Sequence, residues 1–403
     1  MQPSNIIQRP RYLEKVRPYI DKDLIKVFTG QRRVGKSYML YQLMDEIKRR
    51  ENESHIVYVN KEDLSFDHIK NDKDLHQYIL GECKEGLINY VFVDEIQEIS
   101  NFQKAIRSLS LHNDIDIYIT GSNAELFSSQ LSTLLSGRTI ERQVYSLSYP
   151  EFLNFHGMEQ QPESLEKYLR FGGLPYLIHL DLQPDVVFEY LKNIYQTILF
   201  RDVVSRHNLR STHFLEQLVY YLADTTGSLF SAKNISDYLK SQRIKIAHNQ
   251  VIKFINHLKS AYLIRNARRF DIKGKKIFEI GEKYYFENIG IRNALVGYKP
   301  NDRGKIMENV VYNHLLYLDY TVYVGKWGDH EIDFVAERRN ERMYVQVALR
   351  LEQDETIARE FDNLLAIKDN YPKVVVSMDE DFPNTYKGVR HIHLSTFLLR
   401  EEF

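Results

Sequence analysis

Residues 30–37 read Gly-Gln-Arg-Arg-Val-Gly-Lys-Ser, which places two glycines, a lysine and a hydroxyl in one short segment. Gly30 and Gly35 permit positive-φ turns that aim successive backbone N–H groups inward, with Gln31, Arg32, Arg33 and Val34 between them. Lys36 is then placed to reach the β- and γ-phosphates of a nucleotide, and the Ser37 hydroxyl to ligate Mg2+. Further along stands the acidic pair Asp94-Glu95. Asp94 suits holding Mg2+ through water, and Glu95 suits polarising the attacking water. A third candidate is Thr120-Gly-Ser-Asn123, where a polar side chain, such as Asn123, could touch a γ-phosphate or orient water. Asn and Ser are also ordinary turn residues.

Such groups converge only if strand ends deliver them. The apolar run 24–29 leads into Gly30, and a helical pattern with Leu40, Leu43 and Met44 on one face follows. Residues 55–60, 88–95, 114–123 and 139–148 read as further strands, with helices expected over 72–83, 101–112 and 124–135. Alternating strands and helices imply a parallel sheet covered on both faces, with ligands at the carboxyl ends of its strands. Both the acidic pair and 120–123 fall at such ends.

The 403-residue, 47.8 kDa chain has room for two or three domains. A single cysteine, Cys83, excludes an intramolecular disulfide and a cysteine-cluster zinc site. The polar start MQPSNIIQRP lacks a secretory apolar core, and no run approaches the ~18 apolar residues of a membrane span, so a cytoplasmic protein without a membrane partner is expected. No H-E-x-x-H or G-x-S-x-G is present, and the 14 histidines are scattered. No aromatic ladder argues for single-strand stacking.

The net charge of −1 conceals a strong asymmetry, because residues 233–276 hold 12 Lys and Arg against 2 Asp and Glu. This segment lies within 211–290, where three helical patterns and two strands around a glycine turn predict a winged helix-turn-helix. A basic patch on that fold is a nucleic-acid footprint. His248, Asn249, Gln250 and Lys253 would read bases, and Arg268, Arg269, Lys273, Lys275 and Lys276 would contact phosphates. A packing or regulatory module is the other reading. Residues 151–210 read as a helical lid or linker in which Phe171-Gly-Gly-Leu-Pro175 makes a sharp turn with close backbone approach.

Taken together, GQRRVGKS, YVFVDEIQEI, ITGSN, SGR and FGGLP resemble the AAA-type P-loop ATPases of bacteria and archaea. In particular they resemble the group that joins this domain to a C-terminal domain of unknown function, and the similarity spans nearly the whole chain. The resemblance implies an ATPase that binds ATP and Mg2+. It implies Asp94 and Glu95 as the Mg2+ and catalytic site, and Arg138 as an arginine finger offered to a neighbour in a homo-oligomer. Read alone, Gly137 could be a helix C′ residue and Arg138 a cation favouring the helix dipole. Pro175 is similar to a proline that lies against the nucleotide base, and Arg9 and Tyr12 would cover the base from the other side.

Residues 304–403 follow the order helix, three strands, helix, strand, and resemble the PD-(D/E)XK nuclease core. Glu308 and Asp333 match its acids, but the acid-x-lysine position reads Gln346-Val-Ala348. Glutamine is a poor Mg2+ ligand, alanine cannot replace the lysine, and Arg350 cannot give up a proton. The expected fold is therefore α/β. An AAA-type parallel-sheet domain (1–150) leads through the linker (151–210) to the winged helix-turn-helix (211–290). An α/β restriction-endonuclease-like domain without nuclease activity (304–403) ends the chain. Three functions compete: an ATPase coupling nucleotide state to DNA or a protein partner, a nucleotide switch with slow hydrolysis, and an ATP-regulated DNA nuclease.

Overall fold

The computed structural model describes residues 6–50, 54–124, 137–210, 212–230, 232–241, 247–274, 276–351 and 353–403. The chain forms two compact units, Met1–Tyr145 with Ser260–Tyr262, and Ser146–Lys259 with Leu263–Phe403.

In the first unit, β1 (Ile25–Thr29), β2 (His55–Asn60), β3 (Asn89–Asp94), β4 (Ile115–Gly121) and β5 (Thr139–Gln143) make one sheet in the order β2-β3-β4-β1-β5. Every pairing is parallel. All of β3 is buried, as a strand covered on both faces must be. On one face Val57, Val59, Val91, Val93, Ile117 and Ile119 pack against Leu75 and Ile79 of helix Asp72–Glu82 and against Ile106 and Leu109 of helix Phe102–Leu109. On the other, Phe92 stacks on Tyr118 at 4.5 Å. Helix Lys36–Arg50 buries Met39, Leu40, Leu43, Met44 and Ile47, the spacing of one helical face. The strand order sets β1 beside β4 and β4 beside β3, so the residues after all three emerge side by side. The helix expected over 124–135 lies outside the described residues apart from its first.

In the second unit the helices Thr212–Asp224, Ala232–Ser241 and His248–Ser260 precede a hairpin of β7 (Ile264–Asp271) and β8 (Lys276–Phe286), with the short β6 (Leu229–Phe230) on its outer edge. Next come helix Arg303–Tyr317, β9 (Thr321–Trp327), β10 (His330–Arg338), β11 (Glu341–Val347), helix Asp354–Leu365, β12 (Lys373–Ser377), β13 (Thr385–Tyr386) and β14 (Val389–His393). These strands are not two sheets. They form one nine-stranded sheet, ordered β13-β14-β12-β11-β10-β9-β7-β8-β6. Parallel pairing of β7 with β9, from Arg268↔Tyr323 to Asp271↔Lys326, carries the hydrogen bonding straight across the 290–304 boundary drawn from the sequence. An unpaired β7 edge would expose a row of backbone donors and acceptors; β9 satisfies it. Helix Arg303–Tyr317 and helix Asp354–Leu365 contribute to separate apolar clusters, one holding Val311, Leu315, Val324 and Phe334, the other Ile332, Tyr344, Phe361 and Val375.

The helical run is interrupted at Phe171-Gly-Gly-Leu-Pro175. Helix Pro162–Phe171 stops at Gly172, and a short 3-10 turn begins at Pro175. Gly172 has φ +71°, and a Cβ there would come within 2.7 Å of the Gly290 nitrogen; one on Gly173 would lie 2.3 Å from the Leu147 oxygen. The two glycines are thus explained by close backbone packing. No described helix is long and apolar enough to cross a membrane.

Candidate functional site

The loop after β1 is built around contacts that exclude side chains. Gly30 has φ +143°, and a Cβ on it would sit 2.2 Å from the Val144 carbonyl oxygen. Gly35 has φ +98°, and between them Arg33 also takes a left-handed φ of +69°. Arg9 secures the loop from below. Its buried guanidinium donates to the Val34 oxygen at 3.1 Å and the Tyr145 oxygen at 3.0 Å, and lies 4.6 Å from the Tyr12 ring centroid. The Tyr12 hydroxyl accepts the Tyr145 N–H at 3.0 Å, so Arg9 and Tyr12 brace the loop. Gln31 is buried and donates to the Tyr262 carbonyl at 3.0 Å. Arg32 pairs with Glu62 at 3.2 Å.

Lys36 opens the helix that follows and is 4 % exposed. Its ammonium donates to the carbonyls of Gly30 (3.2 Å) and Gln31 (3.0 Å) and lies 3.6 Å from Glu95 Oε1. Asp94, the last residue of β3, accepts hydrogen bonds from Ser37 and from Thr120 Oγ1. The Tyr58 hydroxyl reaches its other oxygen at 3.4 Å. Burial pushes the Asp94 carboxyl above its ordinary range, against the opposing pull of Ser37, Thr120 and Lys36. Glu95 stands in the left-handed region (φ 54°, ψ 49°), which turns its side chain away from the strand direction. Burial opposes its ionisation too, but Lys36 and Arg32 outweigh that and hold it below the usual carboxylate range. Gln97 Nε2 donates to Glu95 and to Ser122 Oγ, and the Glu95 N–H donates to Thr120 Oγ1 at 2.9 Å.

This donor set fits a nucleotide phosphate and a hard cation: a glycine-bounded loop at a helix start, a buried ammonium, and a hydroxyl bonded to a carboxylate. Residues 22–153 match the family described as AAA domain, and residues 162–302 match a domain of unknown function. An uncharacterised protein of Haemophilus influenzae is 34 % identical over 403 residues, covering 98 % of this chain and 99 % of that one. The chain belongs to the same family as this protein, and its residues 22–153 are an AAA domain. An uncharacterised protein of Methanocaldococcus jannaschii is 28 % identical over 344 residues, covering 82 % of this chain and 75 % of that one. Among solved structures, the Aeropyrum pernix ORC1 protein in complex with DNA matches at 11 % identity and TM-score 0.33, over 73 % of this chain and 94 % of that one.

The remaining expected residues of the AAA domain are placed as follows. Asn123 is 2 % exposed, two residues beyond the end of β4. The β4 side chain that touches the acidic pair is Thr120, and Ser122 and Gln97 join it. The sequence pointed to the segment 120–123 and to Asn123 within it, and passed over Gln97. The signal for Thr120 and Gln97 was weak: Thr120 lies on the strand next to β3, and Gln97 lies two residues beyond Glu95. Arg138 is exposed just before β5, and its carbonyl accepts the Ile25 N–H at 2.8 Å.

In the second unit, Pro175 is half-buried at the start of its turn. His248, Asn249, Gln250 and Lys253 are exposed on the first turns of helix His248–Ser260, while Val251, Phe254, Ile255 and Leu258 are buried on the opposite face. Arg268 is exposed and Arg269 half-buried, both on β7 in the interior of the nine-stranded sheet; Lys273 is exposed in the turn. Lys275 lies outside the described residues, and Lys276 opens β8.

Glu308, Asp333 and Gln346 do come together. The Asp333 N–H donates to Gln346 Oε1 at 3.2 Å, and the Val347 N–H donates to Asp333 Oδ2 at 2.8 Å. Arg350 is exposed beyond β11. The residue that links Glu308 to Asp333 is one the sequence did not suggest: Lys283 of β8.

Proposed function

We propose that the chain is a Mg2+-dependent ATP-binding and ATP-hydrolysing protein whose nucleotide state is coupled to DNA or to a protein partner. The observation that carries this reading is the convergence of Lys36, Ser37, Asp94, Glu95 and Thr120 at the carboxyl ends of three adjacent strands. Bound MgATP would supply the electrophilic phosphorus and the cation that neutralises the leaving phosphates. The loop N–H groups and Lys36 would hold the phosphates, and Ser37 with Asp94 would hold the cation. Glu95, positioned by Gln97 and by the Thr120 contact to its own N–H, takes a proton from the attacking water at its carboxylate oxygen. Arg138, exposed ahead of β5, acts on a neighbouring copy in a homo-oligomer.

The downstream reading rests on charge and element order. In this reading the three helices and the hairpin act as a winged helix, and the 12-to-2 basic excess of residues 233–276 favours phosphate backbones. Titrating ATP turnover with single- and double-stranded DNA at two salt concentrations tests the coupling. Stimulation that fades as salt rises is expected; turnover indifferent to DNA would turn the reading toward a protein partner.

A second reading, a slowly hydrolysing switch, is favoured by one specific contact. Glu95 faces Lys36 and not open solvent, so part of its charge is already spoken for. Nucleotide retained through a column with little turnover would favour this switch over a continuous motor.

A further inference from the structure

Outside the AAA domain, three carboxylates gather around the buried Lys283. This residue enters from β8 and is 3 % exposed. Its ammonium lies 2.8 Å from Glu308 Oε1, 2.9 Å from Glu331 Oε1 and 3.5 Å from Asp333 Oδ1. Glu308 comes from helix Arg303–Tyr317. Glu331 and Asp333, two apart on β10, project from the same face of the sheet. The neighbouring oxygens are also engaged. The Tyr285 hydroxyl donates to Glu308 Oε1 at 2.7 Å, the Val347 N–H donates to Asp333 Oδ2, and Gln346 Oε1 is taken by the Asp333 N–H.

Spacing distinguishes an ammonium from a metal. Mg2+ draws its oxygens to about 2.1 Å in an octahedron, whereas an ammonium needs three acceptors at hydrogen-bond distance. Here Glu308 and Glu331 lie at hydrogen-bond distance from the ammonium and Asp333 at ion-pair distance. Among the described residues no group of three or more His, Cys, Asp or Glu is arranged to hold a metal ion. A divalent cation would also have to share this space with a lysine tethered in the strand above it. Acids clustered this closely disfavour one another's ionisation unless a cation stands among them, and β8 supplies one.

We propose that Lys283 is the resident cation of this cluster: its ammonium stands where a metal-dependent hydrolase would hold a divalent ion, and it ties β8 to β10 and to helix Arg303–Tyr317. The carboxylates therefore serve cohesion of the second unit and not phosphodiester hydrolysis. This explains why Gln346 and Ala348 are tolerated at the positions where a working nuclease needs an acid and a lysine. A site filled by its own chain has no use for either. The assignment is independent of what the nucleotide site does.

Manganese binding to the nucleotide-free full chain tests it, read by electron paramagnetic resonance of free Mn2+. Wild type is expected to show no Mn2+ binding that is sensitive to Asp333→Asn or Glu331→Gln. Lys283→Met removes the ammonium while keeping the apolar stem, and is expected to gain one Mn2+ per chain, lost again when Asp333→Asn is added. Lys283→Arg, which restores a cation, should bind none. Two results overturn the proposal: wild-type binding abolished by Asp333→Asn, or a folded Lys283→Met that gains no binding. Should Lys283→Met fail to fold, the wild-type arm decides alone, with absence of carboxylate-sensitive binding supporting the proposal.

Discussion

The ammonium of Lys36 lies 3.6 Å from Glu95 Oε1, and both side chains are buried. The residue that should hold phosphate and the residue that should activate water are therefore partners of one another. A γ-phosphate must compete with Glu95 for Lys36. Glu95→Gln removes that competition while keeping shape, so ATP should bind more tightly, by about 10-fold or 1.4 kcal/mol. Equilibrium binding of a fluorescent ATP analogue checks this. Unchanged or weaker affinity would mean that the ion pair exerts no hold on the lysine.

Thr120 touches both members of the acidic pair, donating to Asp94 and accepting the Glu95 N–H. Thr120→Val keeps the β-branched shape of a buried strand residue and deletes both contacts. Groups that orient metal ligands are typically worth about 10- to 100-fold, so turnover should fall by that order while the far-ultraviolet circular dichroism stays the same. The loss should shrink as Mg2+ is raised, because the Asp94 carboxylate is still present. A variant as active as wild type would leave Thr120 a packing residue.

The loop and the acidic pair were legible in the sequence because their chemistry is contiguous: each needs neighbouring residues on a strand end, and a strand end is visible as an apolar run meeting a polar break. The contacts of Thr120 and Gln97 were not, because they depend on how β3 and β4 stand in register and on the left-handed turn at Glu95. The hairpin at 264–286 was readable from its glycine turn, but its fusion to the C-terminal strands was not. Arg268 and Tyr323 pair across a long intervening chain, and local periodicity carries no trace of that. Lys283 was hidden for the same reason. On β8 it is one polar residue before Tyr-Tyr-Phe, and its partners lie on elements still to come.

Acidity offers a separate check on the second unit. Burial first, and then the neighbouring Glu308, push the Asp333 carboxyl up to about 7, against Lys283. The folded state therefore holds a proton on Asp333 that the unfolded chain releases near its ordinary value of 3.8. Stability from that proton is fully present below the ordinary value and is lost as pH rises through about 7. Urea unfolding followed from acid to neutral pH should show wild type losing stability relative to Asp333→Asn across this window. A difference that is flat, or that grows with pH, would contradict the proton assignment.

The most direct test of the nucleotide site is steady-state ATP turnover of wild type beside Lys36→Ala and Glu95→Gln, with retention of nucleotide measured on the same samples. Lys36→Ala should lose both retention and turnover. Glu95→Gln should retain nucleotide yet turn over about 10²- to 10⁴-fold more slowly, the span expected for loss of a general base. If both variants hydrolyse ATP at the wild-type rate, the site formed by Lys36, Ser37, Asp94 and Glu95 is not where the chemistry happens.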